Sequence, residues 1–186
     1  MFTYISTQEK LHVAEVFRLP EFDLSQPSAY HILYRNAVMQ NKIKPGTEVN
    51  ICLPAVSCGA LLAALEVRHE LPINKVVLGC NENRALVDFI RTGAAEPRDV
   101  IHTESPLLDI TEYPELEKLP PREEWEGFFT AYSIPARRAK NMRALVEREK
   151  NVRIALSTAA AYTALQDHRC VTADGVHALL AALEEG

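Results

Sequence analysis

The chain has 186 residues, 47% of them hydrophobic, and a formal net charge of −5. That length and apolar share suffice for one full core, and the acidic balance excludes non-specific nucleic-acid binding through a basic surface. No apolar run reaches the roughly 18 residues of a membrane span, and the start, Met1-Phe2-Thr3-Tyr4, lacks the basic and apolar parts of a signal peptide. Cys52, Cys58, Cys80 and Cys170 show no CxxC spacing. They read as reduced thiols of a cytoplasmic protein, not as a disulfide framework or zinc site.

Residues 1–23 read as a lead-in and 24–186 as one domain. Phe2–Ile5 suits an edge strand, and Gln8–Arg18 a helix that Pro20 ends. Leu24–Asn41 is the clearest early helix. Ala29, Ile32, Leu33 and Ala37 build its apolar side, Ser25 or Ser28 can cap it, and Pro27 suits the first turn. Lys44-Pro45-Gly46 is a break. Val49–Leu53 is a short apolar run bounded by Gly46 and Pro54, the pattern of a buried strand. A loop over 54–59 leads into a helix, Ala60–His69, which Pro72 stops. Lys75–Cys80 is a second buried strand. Asn81-Glu82-Asn83 breaks it, and a helix over Arg84–Arg91 follows, with Gly93 as its C-terminal cap.

The order strand, loop, helix, strand, loop, helix predicts parallel strands with right-handed crossovers. Ligands of such sheets sit at the carboxyl ends of the strands, here the Ala55–Gly59 and Asn81–Asn83 loops. Residues 94–106 are loop-like. Arg122–Ala131 reads as a helix with Trp125, Phe128 and Phe129 inward. Ala136–Lys150 is a charged helix with a solvated face, Val152–Leu156 a third short strand, and Ala159–Gln166 another helix. Thr172–Glu185 closes the chain as a helix with Val176, Leu179, Leu180 and Leu183 on one stripe. The expected fold class is α/β, a three-layer αβα arrangement around a parallel sheet.

Several of these pieces, in this order, resemble threonine synthase, a pyridoxal-phosphate (PLP) enzyme of the fold-type II group. They are Pro54-Ala55-Val56-Ser57-Cys58-Gly59 where the family has Pro-Thr-Gly-Asn-Phe-Gly, then Glu70-Leu71-Pro72-Ile73, Gly79-Cys80-Asn81-Glu82-Asn83 and Phe89-Ile90-Arg91-Thr92-Gly93. Leu108-Asp109-Ile110, Tyr113-Pro114-Glu115-Leu116 and Ser157-Thr158-Ala159-Ala160-Ala161-Tyr162 continue the likeness, which runs from about Leu24 to Leu165 and concerns the second half of the family's chain. It implies a strand-end PLP site and, if the chain is active, carbon–oxygen lyase chemistry in amino-acid biosynthesis.

Carried over residue by residue, the resemblance makes Ser57, Cys58 and Gly59 candidates to cradle the cofactor phosphate. A loop that opens a helix offers free N–H groups and the positive end of the helix dipole, but Val56 stands where the family has its first glycine, so a plain strand-to-helix turn is the competing reading. Thr158 is placed to face the pyridine nitrogen, or to cap the helix after it. Asn81 and Asn83 can orient a substrate amide or carboxylate, or Asn81 can cap the next helix. Cys58, at a helix start, is where a thiol pKa falls. PLP enzymes hold the cofactor on a lysine, and the family's Phe-Lys-Asp, Ser-Gly-Asp-Thr-Gly and Gly-Thr-Ala-His-Pro segments are absent. Three readings follow: a threonine synthase-like domain that is not catalytic alone, a PLP lyase completed by another chain that supplies the lysine, and a small-molecule or anion-binding module without PLP. A sheet edge left exposed where the missing half would pack would favour self-association into a homo-oligomer.

Overall fold

The computed structural model describes residues 2–6, 23–151, 153–167 and 177–181. Its elements are β1 (Phe2–Ser6), α1 (Pro27–Met39), β2 (Val49–Pro54), α2 (Gly59–Val67), β3 (Ile73–Cys80), α3 (Ala85–Thr92), β4 (Phe129–Ser133), α4 (Ala136–Lys150), α5 (Leu156–Asp167) and β5 (His177–Ala181). Short 3-10 turns lie at Pro106–Leu108, Pro114–Lys118 and Arg122–Glu124. The expected helix at Gln8–Arg18 falls outside the described residues.

The strands form one sheet in the order β1-β5-β2-β3-β4. β5, β2, β3 and β4 run parallel, and β1 adds an antiparallel edge. The steps β2–α2–β3 and β3–α3–β4 travel the same way along the sheet, so right-handed crossovers put α2 and α3 on one face. The return from β4 to β5 carries α4 and α5 over the other face, where α5 packs on β2 and β3, while α1 joins the first face by packing on α2. This is the expected three-layer α/β arrangement.

Burial on both faces explains the local sequence. All six residues of β2 and the last five of β3 are buried, so these stretches show no polar alternation, and the buried Asn50 accepts from Asn74 Nδ2 at 2.9 Å. Leu156–Leu165 of α5 are buried without a break, as a helix apolar all round must be. Its alanines let it approach the sheet at Gly79, where a Cβ would stand 2.4 Å from the Ala161 backbone. The Cys52 thiol donates to the Ala161 carbonyl at 3.0 Å. On the opposite face the Tyr30 hydroxyl donates to the Ala60 carbonyl at 2.6 Å and ties α1 to α2. Pro27 opens α1 as expected, but Gln26 is the capping position and no side chain caps it. Gly93 ends α3 at φ 80°, as its position predicts.

Three expectations are corrected. The segment expected as a helix over Arg122–Ala131 is a 3-10 turn followed by β4. Gly127 takes φ 81° between them, Trp125 and Phe129 are buried, and Phe128 meets Phe129 edge-on. The expected strand at Val152–Leu156 is not one: 153–155 are irregular and α5 starts at Leu156, after Asn151 turns the chain at φ 52°. The described part of the expected Thr172–Glu185 helix, His177–Ala181, is instead β5, held between β1 and β2.

Candidate functional site

Two of the strand-end loops carry most of the residues singled out. After β2, Pro54–Cys58 turns into α2 with Cys58 at the capping position. The Ser57 hydroxyl accepts the Gly59 N–H at 2.9 Å, so one of the helix's unpaired N–H groups is already satisfied within the loop. A Cβ on Gly59 would stand 2.8 Å from the Ser25 Cβ and 3.1 Å from the Ser57 Oγ. Glycine is therefore required here because the turn before α1 sits on it. Cys58 is buried, and burial, with the charge of Glu115 adding, pushes its thiol up to about 12. The expected lowering at the helix start is reversed, because desolvation of a thiolate outweighs the dipole of a short helix. The Tyr113 hydroxyl closes over the same loop, donating to the Ala55 carbonyl at 3.0 Å.

After β3, Asn81 and Asn83 are buried and both reach Asp109. Asn81 Nδ2 donates to Asp109 Oδ1 at 2.7 Å and to Thr103 Oγ1 at 2.9 Å. Asn83 Nδ2 donates to the Ile101 carbonyl at 2.7 Å and to Asp109 Oδ1 at 3.2 Å, while its Oδ1 accepts the Ile101 N–H at 2.8 Å. The Thr103 N–H and hydroxyl both donate to Asp109 at 2.7 Å. Burial alone would raise the Asp109 pKa, but the hydrogen bonds from Thr103 and Asn81 and the charge of His102 outweigh it and hold the carboxyl below its ordinary range. The two asparagines thus staple the 101–109 segment to the end of β3. Asn81 does not cap α3: its Oδ1 accepts the Asn83 N–H at 2.9 Å, a local turn, and Arg84 occupies the capping position.

Thr158 lies fully buried inside α5, two residues past its start, so it is not that helix's cap. Its neighbour Ser157 is also buried, with no partner for its hydroxyl among the described residues. Lys42, Lys44, Lys75, Lys118 and Lys140 are all exposed. Lys75 is near the opposite end of β3 from Cys80, about 16 Å away at the usual rise per residue, and Lys140 pairs with Glu104. The residues that shape these loops without having been assigned a part in a ligand site are Ser25, Thr103, Asp109 and Tyr113. Two of them stand in the family-like segments Leu108-Asp109-Ile110 and Tyr113-Pro114-Glu115-Leu116, which was the available signal.

No protein-family model matches the chain. Over 93 residues, 48% of its length, it is 37% identical to threonine synthase-like 1 of Macaca fascicularis. Over 75 residues it is 35% identical to threonine synthase of Methylobacillus glycogenes. In structure it superposes on PLP-bound threonine synthase of Brucella melitensis with a TM-score of 0.65, at 17% identity over 76% of this chain. The chain resembles threonine synthase. The resemblance is partial, since the chain covers 12% and 16% of those two relatives and 36% of that solved chain.

The threonine synthase-like loop is partly covered by the chain itself. A cradle needs open backbone and free N–H groups. Here Ser25 fills the bare side of Gly59, Ser57 takes its N–H, and Glu115 sets a negative charge toward Cys58. Among the described residues no helix is long and apolar enough to cross a membrane, and no group of His, Cys, Asp or Glu is arranged to hold a metal.

Proposed function

We propose that the chain is a threonine synthase-like domain that neither holds PLP nor catalyses on its own. The packing of Ser25 on Gly59 carries this reading, because it covers the loop's glycine, where backbone could approach a phosphate most closely. The exposed lysines and the absent Phe-Lys-Asp segment support it. Ser57, Cys58 and Gly59 then keep the place of a cofactor loop as a structural turn, Thr158 serves the interior of α5, and Asn81 and Asn83 hold the 101–109 segment. The test is retention. The purified chain is mixed with PLP, desalted, then treated with borohydride and mapped by peptide mass. Recovery of a lysine adduct in stoichiometric yield would contradict the proposal, and its absence supports it.

A second reading is favoured by the 36% coverage of the solved threonine synthase: another chain completes the domain and supplies the lysine. In that case PLP is retained only when the complementary chain is present, and the adduct maps to that chain.

A further inference from the structure

Outside the strand-end loops, α3 carries a cluster of charge that none of these roles uses. Asp88 is 5% exposed. It accepts from Arg84 Nε at 3.1 Å and Nη2 at 2.8 Å and from Arg91 Nη2 at 3.1 Å, and it pairs with Arg98, whose Nη2 lies 2.7 Å away. The hydrogen bonds from Arg84 come first in holding the Asp88 carboxyl below its ordinary range. Arg84 alone makes a two-pronged pair that neutralises a carboxylate. Arg91 and Arg98 bring two further positive charges to the same group.

Compensation for them nearby is thin. Glu96 is 3.9 Å from Arg98 and 72% exposed, and Arg122, which donates to the Arg91 carbonyl, is matched by Glu126. The side chains of Arg84, Arg91 and Arg98 are 44%, 67% and 41% exposed, so guanidinium donors not spent on Asp88 remain at the surface. On a chain of net charge −5 this is a local reversal of sign.

A buried carboxylate that gathers three guanidiniums also holds them in place, which lowers the ordering cost an incoming anion would otherwise meet. Even with Glu96 counted the cluster stays positive, and three forked donors suit the several oxygens of a phosphate or sulfate better than a single carboxylate. From this geometry we infer that Arg84, Arg91 and Arg98, held on Asp88, form a surface site for a dianionic phosphate or sulfate group. This site is independent of the strand-end loops. The competing role, in which the arginines only fasten the segment after α3, predicts no ligand.

The experiment is an amide NMR titration of the full 186-residue chain with inorganic phosphate and with sulfate, against sodium chloride at matched ionic strength. Saturable shifts centred on Arg91 and Arg98 are expected. Arg91→Gln or Arg98→Gln should weaken binding about tenfold, the effect of one charge-assisted hydrogen bond, while Arg137→Gln, at an exposed position of α4, leaves it unchanged. Both substitutions are at exposed side chains and keep the Arg84–Asp88 pair, so the fold survives them. A capped phosphoserine peptide that binds more tightly than inorganic phosphate assigns the group to a protein partner, and equal binding assigns it to a small molecule; either supports the site. Shifts that never saturate, or that persist unchanged in both variants, overturn it.

Discussion

Replacing Gly79 by alanine tests the packing on which the whole sheet depends. The new Cβ would meet Ala161 Cα and N at 2.4 Å and Ala160 C at 2.6 Å, where ordinary contact is 3.4–4 Å. All three atoms are backbone, so no side chain can swing away, and α5 must retreat by about 1 Å. β3 cannot retreat instead, since β2 and β4 hold it on either side. Overpacking of this kind costs about 1–3 kcal/mol, and rigid partners on both sides place Gly79→Ala near 3 kcal/mol. With a urea slope of about 2–3 kcal/mol/M, the unfolding midpoint should fall by roughly 1–1.5 M. Gly127→Ala is the control. Nothing lies within 4 Å of that position, so only its left-handed backbone is strained, at about 1 kcal/mol. A Gly79→Ala loss no larger than that of Gly127→Ala would refute the close approach of α5.

Other outcomes follow from the same geometry. With its thiol pushed up to about 12, Cys58 is about one part in 10,000 ionised at pH 8; its peptide should stay unlabelled by iodoacetamide until urea is added, and labelling at the rate of a free thiol would contradict its burial. Asn81→Ala removes two donors from the Asp109 staple and should cost about 1–3 kcal/mol, with faster hydrogen exchange at the Ile101 and Thr103 amides; unchanged exchange would count against the staple. Asp88 and Asp109 both have lowered folded pKa values. Their stabilisation is therefore complete above the unfolded value of about 3.9 and is lost as pH falls through the lower folded values. Urea midpoints measured from pH 6 downward should drop below about pH 4, less steeply in Asp109→Asn, and an identical slope in that variant would refute the linkage.

The β2–α2–β3–α3 unit was legible because its signals are local. Apolar runs, Pro54, Pro72 and the φ 80° glycine at position 93 each punctuate one element. β5 was not legible, because His177-Ala178-Leu179-Leu180-Ala181 is made mostly of good helix formers, and it is a strand only through pairing with β1 and β2 at a great distance in sequence. The aromatics Trp125, Phe128 and Phe129 fall at helical spacing, yet Gly127 breaks the segment and only Phe129 onward extends. At the candidate site, the glycine at position 59 and the asparagines at 81 and 83 could be named from sequence. Their partners could not, since Ser25 and Asp109 reach them across 34 and 28 residues. That is why residues read as facing a ligand are found facing their own chain.

The phosphorus NMR signal of PLP, followed as the chain is added, tests most directly whether the loop at Gly59 accepts a phosphate. In a chain carrying Arg91→Gln and Arg98→Gln, which weakens the surface phosphate site inferred above, the packing of Ser25 on Gly59 predicts a line at the position and width of free PLP throughout. A shifted or broadened line, accompanied by amide shifts centred on Ser57, Cys58 and Gly59, would place the phosphate at that loop and contradict the account.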